Sequence, residues 1–131
     1  MLELALREGE GPVSIGEIAR EQGIPARFLE AILRQLKQAG YTQSSRGKVG
    51  GYWLARPAEN ITAGEVIRLC EGSTLTLSPG IRPGPGAVTD PFAEMWREAE
   101  QALGQVYDRT SFAELARRSH RLRQAQADYA I

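Results

Sequence analysis

Arg27, Glu30, Ala31 and Arg34 recur at spacings of three and four residues, so one face of a helix would carry all four. Their side chains share one kind of chemistry. An arginine can donate two parallel N–H bonds to a guanine edge, a carboxylate can accept from the cytosine amino group, and a methyl can meet the thymine methyl. Arg46, Gly47, Lys48, Gly50 and Gly51 follow in "SRGKVGGYW". Arg46 suits a narrow groove of enhanced negative potential, and Lys48 suits a phosphate. The glycines would let a loop tip enter such a groove and leave its N–H groups free. Residues fit for covalent catalysis are scarce. There is one cysteine, Cys70, and one histidine, His120, far apart, with no phosphate-cradling loop and no carboxylate pair beyond helix caps and solvated faces. An enzyme is not expected. One cysteine also excludes an internal disulfide framework and an all-cysteine metal site.

The charge distribution points the same way. The whole chain is neutral, with 16 basic and 16 acidic residues. From Arg27 to Arg56, however, six cations face a single anion, Glu30, whereas Thr62 to Asp108 holds three cations and seven anions. A basic segment inside a neutral chain is the footprint of a phosphate-binding surface. No apolar run approaches the about 20 residues that span a bilayer, and no signal peptide opens the chain. A cytoplasmic protein that makes no membrane contact is expected.

The elements that would hold these residues follow from caps and periodicity. A short helix spans Met1 to about Glu8, stopped by Gly9, Gly11 and Pro12. Ser14 and Glu17 form a capping box that opens a second helix, with Ile15, Ile18 and Ala19 on its inner face and Gly23 as its stop. Pro25 starts the third helix, which is expected to bury Phe28, Leu29, Ile32, Leu33 and Leu36. The tight turn "GIP" between the two gives a helix-turn-helix. Tyr41–Ser44 and Tyr52–Ala55 then read as short strands, with the basic glycine-rich tip between them as a wing. A second capping box, Thr62 and Glu65, opens a fourth helix that buries Val66, Ile67 and Cys70.

The rest of the chain is of another kind. Eight of the twenty residues from Gly72 to Pro91 are glycine or proline, which suits a functional loop. Such a loop could line a small-ligand pocket against Trp96, which as plain core would fit equally well. Asp90 would cap a long helix from Pro91 to Asp108, whose apolar positions are Phe92, Met95, Trp96, Ala99, Leu103, Val106 and Tyr107. That stripe is too long for this small body to cover and reads as a dimer seam. Ser111 and Glu114 cap a last helix, and the basic end "RRSHRLRQAQADYAI" either extends it or frays. The expected fold is mainly α with a small two-stranded wing. The winged helix-turn-helix occupies residues 1–72, the linker or sensor loop 73–90, and the dimerisation helix and tail 91–131.

The block "RGKVGGYWLARPAENITAGEVI" and the helix-turn-helix before it resemble the Rrf-two (BadM-like) bacterial transcription regulators, closely from Leu2 to Gly72 and weakly through "SFAELARR". The resemblance implies a homodimeric regulator, a repressor by default, on a near-palindromic operator in double-stranded DNA. Arg46 and Gly47 would be the wing's minor-groove contacts, and Glu30 and Ala31 would sit at the base-reading turn. It departs from the family in two places. The three cysteines of the cluster-bearing members are missing from "GSTLTLSPGIRPGPGAVTDP", so no iron–sulfur cluster or other cofactor is expected. The chain would then be grouped with cluster-free members, controlled by a small-molecule or protein effector. Family members also have further residues before "LELALREG", which complete the first helix and touch DNA. Two other readings stay open: a protein-interaction module with weak or lost DNA binding, and a redox sensor acting through Cys70.

Overall fold

The computed structural model describes residues 1–71 and 91–130. The chain parts into two compact units, Met1–Ile61 with Ser111–Ile131, and Thr62–Thr110. This division by contact differs from the division by sequence character, because the last helix belongs with the first unit.

The first unit holds α1 (Leu2–Leu6), α2 (Ile15–Gln22), α3 (Ala26–Gln38), β1 (Thr42–Ser45), β2 (Gly51–Leu54), a 3-10 turn (Ala58–Asn60) and α6 (Phe112–Tyr129). β1 and β2 pair antiparallel, with Thr42 opposite Leu54 and Ser45 opposite Gly51. Val13 adds one more rung on the other edge of β2: Tyr52 N–H donates to Val13 at 2.8 Å and Val13 N–H donates to Tyr52 at 2.9 Å. The core gathers Leu4 and Ala5 of α1, Val13, Ile18 of α2, Leu29, Leu33 and Leu36 of α3, Ala58, Ile61, and Phe112 and Ala116 of α6. α6 packs on α1 and on the 3-10 turn, so the C-terminal segment closes the same core that the N-terminus opens.

The Ser14–Glu17 box forms in both directions and starts α2, while Gly23 at φ 63° ends it in the left-handed conformation that glycine tolerates best. Pro25 accepts from the N–H groups of Phe28 and Leu29 at 3.1 Å, opening α3 directly after that turn. Glu3 is buried, which is tolerable because Arg7 Nε at 2.8 Å and Gln22 Nε2 at 3.0 Å both donate to its side chain. Glu8 accepts from the Ala58 N–H at 2.9 Å, tying the end of α1 to the 3-10 turn.

The expected burial along α3 needs correction. Leu29, Leu33 and Leu36 are buried, but Phe28 is 69% exposed and Ile32 39%. α3 covers only a three-leucine strip against α2 and β1, narrower than its apolar stripe.

The second unit holds α4 (Ala63–Glu71) and α5 (Pro91–Asp108), which pack on each other. The Thr62–Glu65 box opens α4, with Thr62 N–H donating to Glu65 at 2.8 Å. Arg68 grips Asp108 through two bonds of 2.6 and 2.7 Å. That guanidinium holds the Asp108 carboxyl below the usual carboxylate range. A Cβ on Gly64 would meet the Asp108 carboxylate and crowd the Arg68 guanidinium, so a larger residue there would displace the ends of that ion pair. Val66 and Ile67 are half-buried, and Cys70, expected inside, is exposed at the far end of this short helix. None of the described apolar side chains of this unit is buried. Asp90 and the glycine–proline segment lie outside the described residues.

Candidate nucleic-acid interface

Arg27, Glu30, Ala31 and Arg34 all lie on the exposed face of α3, away from its leucine strip. Arg34 approaches Glu30 at 3.6 Å with both side chains more than half exposed. An exposed pair at that distance contributes little to stability, so both groups are available to another partner. Lys37, counted above among the basic residues, has a second role: its ammonium donates to the Ser44 hydroxyl at 2.7 Å. This bond joins the last turn of α3 to β1, on which the helix also packs.

The wing tip carries Arg46, Gly47 and Lys48, all exposed, with Val49 88% exposed. Gly47 has φ 110° with nothing near the place of a Cβ, so the backbone conformation rather than crowding favours glycine there. Gly50 and Gly51 have a further cause that their sequence does not reveal. A Cβ on Gly50 would meet Ser45 O at 2.5 Å, and one on Gly51 would collide with the Val13 carbonyl. The Gly50 N–H, expected free for phosphate, donates to Gly47 O at 3.0 Å and closes the tip. Trp53 Nε1 donates to Gln43 across the strands at 3.2 Å, and the Arg56 guanidinium lies over the Tyr41 ring at 4.8 Å. Both contacts stiffen the base of the wing. The α3 face and the tip therefore stand on one braced unit.

Other candidates are laid out differently. On α5, Met95, Trp96 and Val106 are 48, 40 and 44% exposed and Phe92 is 60% exposed, so Trp96 is not plain core. Ala99, Leu103 and Tyr107 are half-buried. Cys70 and His120 are both exposed and belong to different units. Among the described residues, no three His, Cys, Asp or Glu side chains gather as metal ligands. A groove of about 590 Å³ lies beside β2, walled by Leu4, Val13, Leu54 and Pro57. Two charged residues lining it are already engaged, Arg7 with Glu3 and Glu8 with Ala58. No described helix is long and apolar enough to cross a membrane.

On α6, Glu114 meets Arg117 and Arg118 at 3.1 Å and Arg121 at 3.5 Å. Ser111 still accepts from the Glu114 N–H at 3.1 Å, while the carboxylate serves the arginines. The basic tail extends the helix to Tyr129.

Known proteins share this arrangement. Residues 1–118 match the family Rrf2, described as iron-dependent transcriptional regulators. The HTH-type transcriptional regulator CymR of Bacillus subtilis is 34% identical over 116 residues, covering 88% of this chain and 80% of that protein. The HTH-type transcriptional regulator IscR of Erwinia tasmaniensis is 31% identical, covering 88% of this chain and 70% of its own. The solved structure of the B. subtilis CymR, 34% identical, superposes with a TM-score of 0.74, over 88% of this chain and 85% of that one. These relatives are regulators of transcription, not enzymes. Its winged helix-turn-helix and its match over most of its length show that this chain belongs to the Rrf2 family of transcriptional regulators.

Proposed function

We propose that the protein is a sequence-specific DNA-binding regulator, by default a repressor, that works as a homodimer on a near-palindromic operator in the cytoplasm. One observation carries the DNA reading. The exposed Arg27–Arg34 face of α3 and the Arg46–Lys48 tip are held on one braced unit by the Lys37–Ser44 bond. A helix for the major groove and a basic loop for the adjacent minor groove are thereby presented together. Arg27, Glu30, Ala31 and Arg34 would read bases. Arg46 and Gly47 would enter the minor groove, Lys48 would meet phosphate, and Gly50 and Gly51 would shape the tip.

The dimer is supported by the second unit. Two helices that bury none of their described apolar side chains leave Met95, Trp96 and Val106 for a partner helix. A thiolate-held iron centre needs several cysteines, and this chain has one. Its donor set does not fit the iron dependence in the family's description, and we read the regulator as cofactor-free, responding to a small-molecule or protein effector.

The test is Arg46→Ala on an operator selected from genomic fragments. The variant should bind more weakly by about 1–3 kcal/mol, with a salt dependence shallower by about one counterion. Unchanged affinity and slope would remove the wing from the interface. A wild-type affinity indifferent to salt would defeat the DNA reading as a whole.

A further inference from the structure

We propose that Phe28 is a base-reading residue whose ring meets the C5-methyl group of a thymine in the major groove. The proposal rests on the reading of α3 as the DNA-facing helix. Its starting point is the burial along that helix: Leu29, Leu33 and Leu36 are 4, 1 and 2% exposed, while Phe28 is 69% exposed. Phe28 lies in the first turn of α3, its N–H bonded to Pro25 O at 3.1 Å. Residues of the opening turns are those that a groove-entering helix presents to base edges.

The neighbours of Phe28 decide what it meets. It stands beside Arg27, three positions from Ala31 and four from Ile32, so the helix carries an apolar strip along the flank of its polar face. An exposed phenylalanine is ordinary by itself. This one belongs to the stretch Arg27 to Arg56, in which six cations, Arg27, Arg34, Lys37, Arg46, Lys48 and Arg56, face Glu30 as the one acidic residue. A second copy docked through the same stretch would bring those cations against their own kind. A polyanion would not. Within a DNA groove, a phenyl ring has nothing to offer phosphates or base-edge donors, whereas the thymine methyl is the apolar group that the major groove displays.

The experiment uses the selected operator with each thymine replaced in turn by uracil, which removes only the methyl group. Wild-type protein is compared with Phe28→Ala and Phe28→Leu. The wild type should lose about fourfold in affinity at one half-site position, the factor for one buried methyl-sized group. Phe28→Ala should bind the thymine operator more weakly and be indifferent to that same replacement. Phe28→Leu should keep part of the response. A wild type indifferent at every position, or a Phe28→Ala variant that keeps the full response, would overturn the proposal and leave α3 as the DNA-facing helix. A Phe28→Ala variant with an altered oligomeric state would assign the ring to a second copy and overturn it too. Failure of the wild type to select any operator would overturn both this proposal and the reading beneath it.

Discussion

Gly51→Ala separates a glycine kept for the fold from one kept for DNA. Gly51 begins β2 and is not among the glycines with positive φ, so alanine adds no backbone strain there. What alanine adds is a Cβ inside contact distance of the Val13 carbonyl and 2.9 Å from Ser14 N. Both obstacles are backbone, so neither can rotate away. The chain has two ways to respond. It can keep the rung between Val13 and Tyr52 and bear the overlap, which costs about 1–3 kcal/mol for an overpacked site. Or it can part the strands and lose the bonds of 2.8 and 2.9 Å, at about 0.5–1.5 kcal/mol each. The cheaper route sets the cost, and both routes give about 2 kcal/mol. Ser14 is the cap of α2, so parting the strands also disturbs the start of the helix-turn-helix. Urea unfolding, with hydrogen exchange at the Tyr52 and Val13 amides, measures both effects. Gly16→Ala is the control, because a Cβ there has nothing within 4 Å. A loss below about 0.5 kcal/mol in Gly51→Ala, with unchanged Tyr52 exchange, would refute the collision argument.

The remaining expectations concern the second unit. Arg68 depresses the folded-state pKa of Asp108, so its stabilisation is complete above the ordinary carboxylate range and is lost as pH falls through and below it. Asp108→Asn should therefore flatten the acid limb of a urea-midpoint profile between neutrality and pH about 3, and an acid limb as steep as the wild type's would count against the pair. Cys70 is exposed and should react with an aromatic disulfide in the native protein within about tenfold of its rate in denaturant. Slow native labelling would place it inside an interface. If the thiol is a redox switch, peroxide should alter DNA binding in the wild type and not in Cys70→Ser; no difference between the two would eliminate that role.

The legible parts of the fold are those set by local chemistry. Ser14 with Glu17 and Thr62 with Glu65 close as capping boxes because each needs only residues three apart in one turn. The wing follows from two short strands around a glycine-rich tip, and the exposed set Arg27, Glu30, Ala31 and Arg34 from helical spacing alone. What could not be read depends on contacts distant in sequence. The Val13 rung explains Gly51, the return of α6 onto α1 completes the first core, and Glu8 finds the Ala58 N–H fifty residues on. No periodicity carries such pairings.

The apolar surplus on α3, which was not expected, and that on α5, which was, share one cause. A 3.6-residue pattern says which side chains share a face, not how much of that face the chain itself can cover. On α3 the apolar stripe reaches Phe28 and Ile32, yet α2 and β1 cover only three leucines. On α5 the stripe reaches Met95, Trp96 and Val106, yet α4 is a single nine-residue helix. The surplus is apolar in both places, but its surroundings differ. Phe28 belongs to the basic stretch Arg27 to Arg56, whereas the stripe on α5 lies in an acidic segment, Thr62 to Asp108, with seven anions to three cations. A polyanion would be drawn to the first and repelled by the second. The sign of the flanking charge therefore separates the two surfaces with respect to DNA, the first suited to it and the second not.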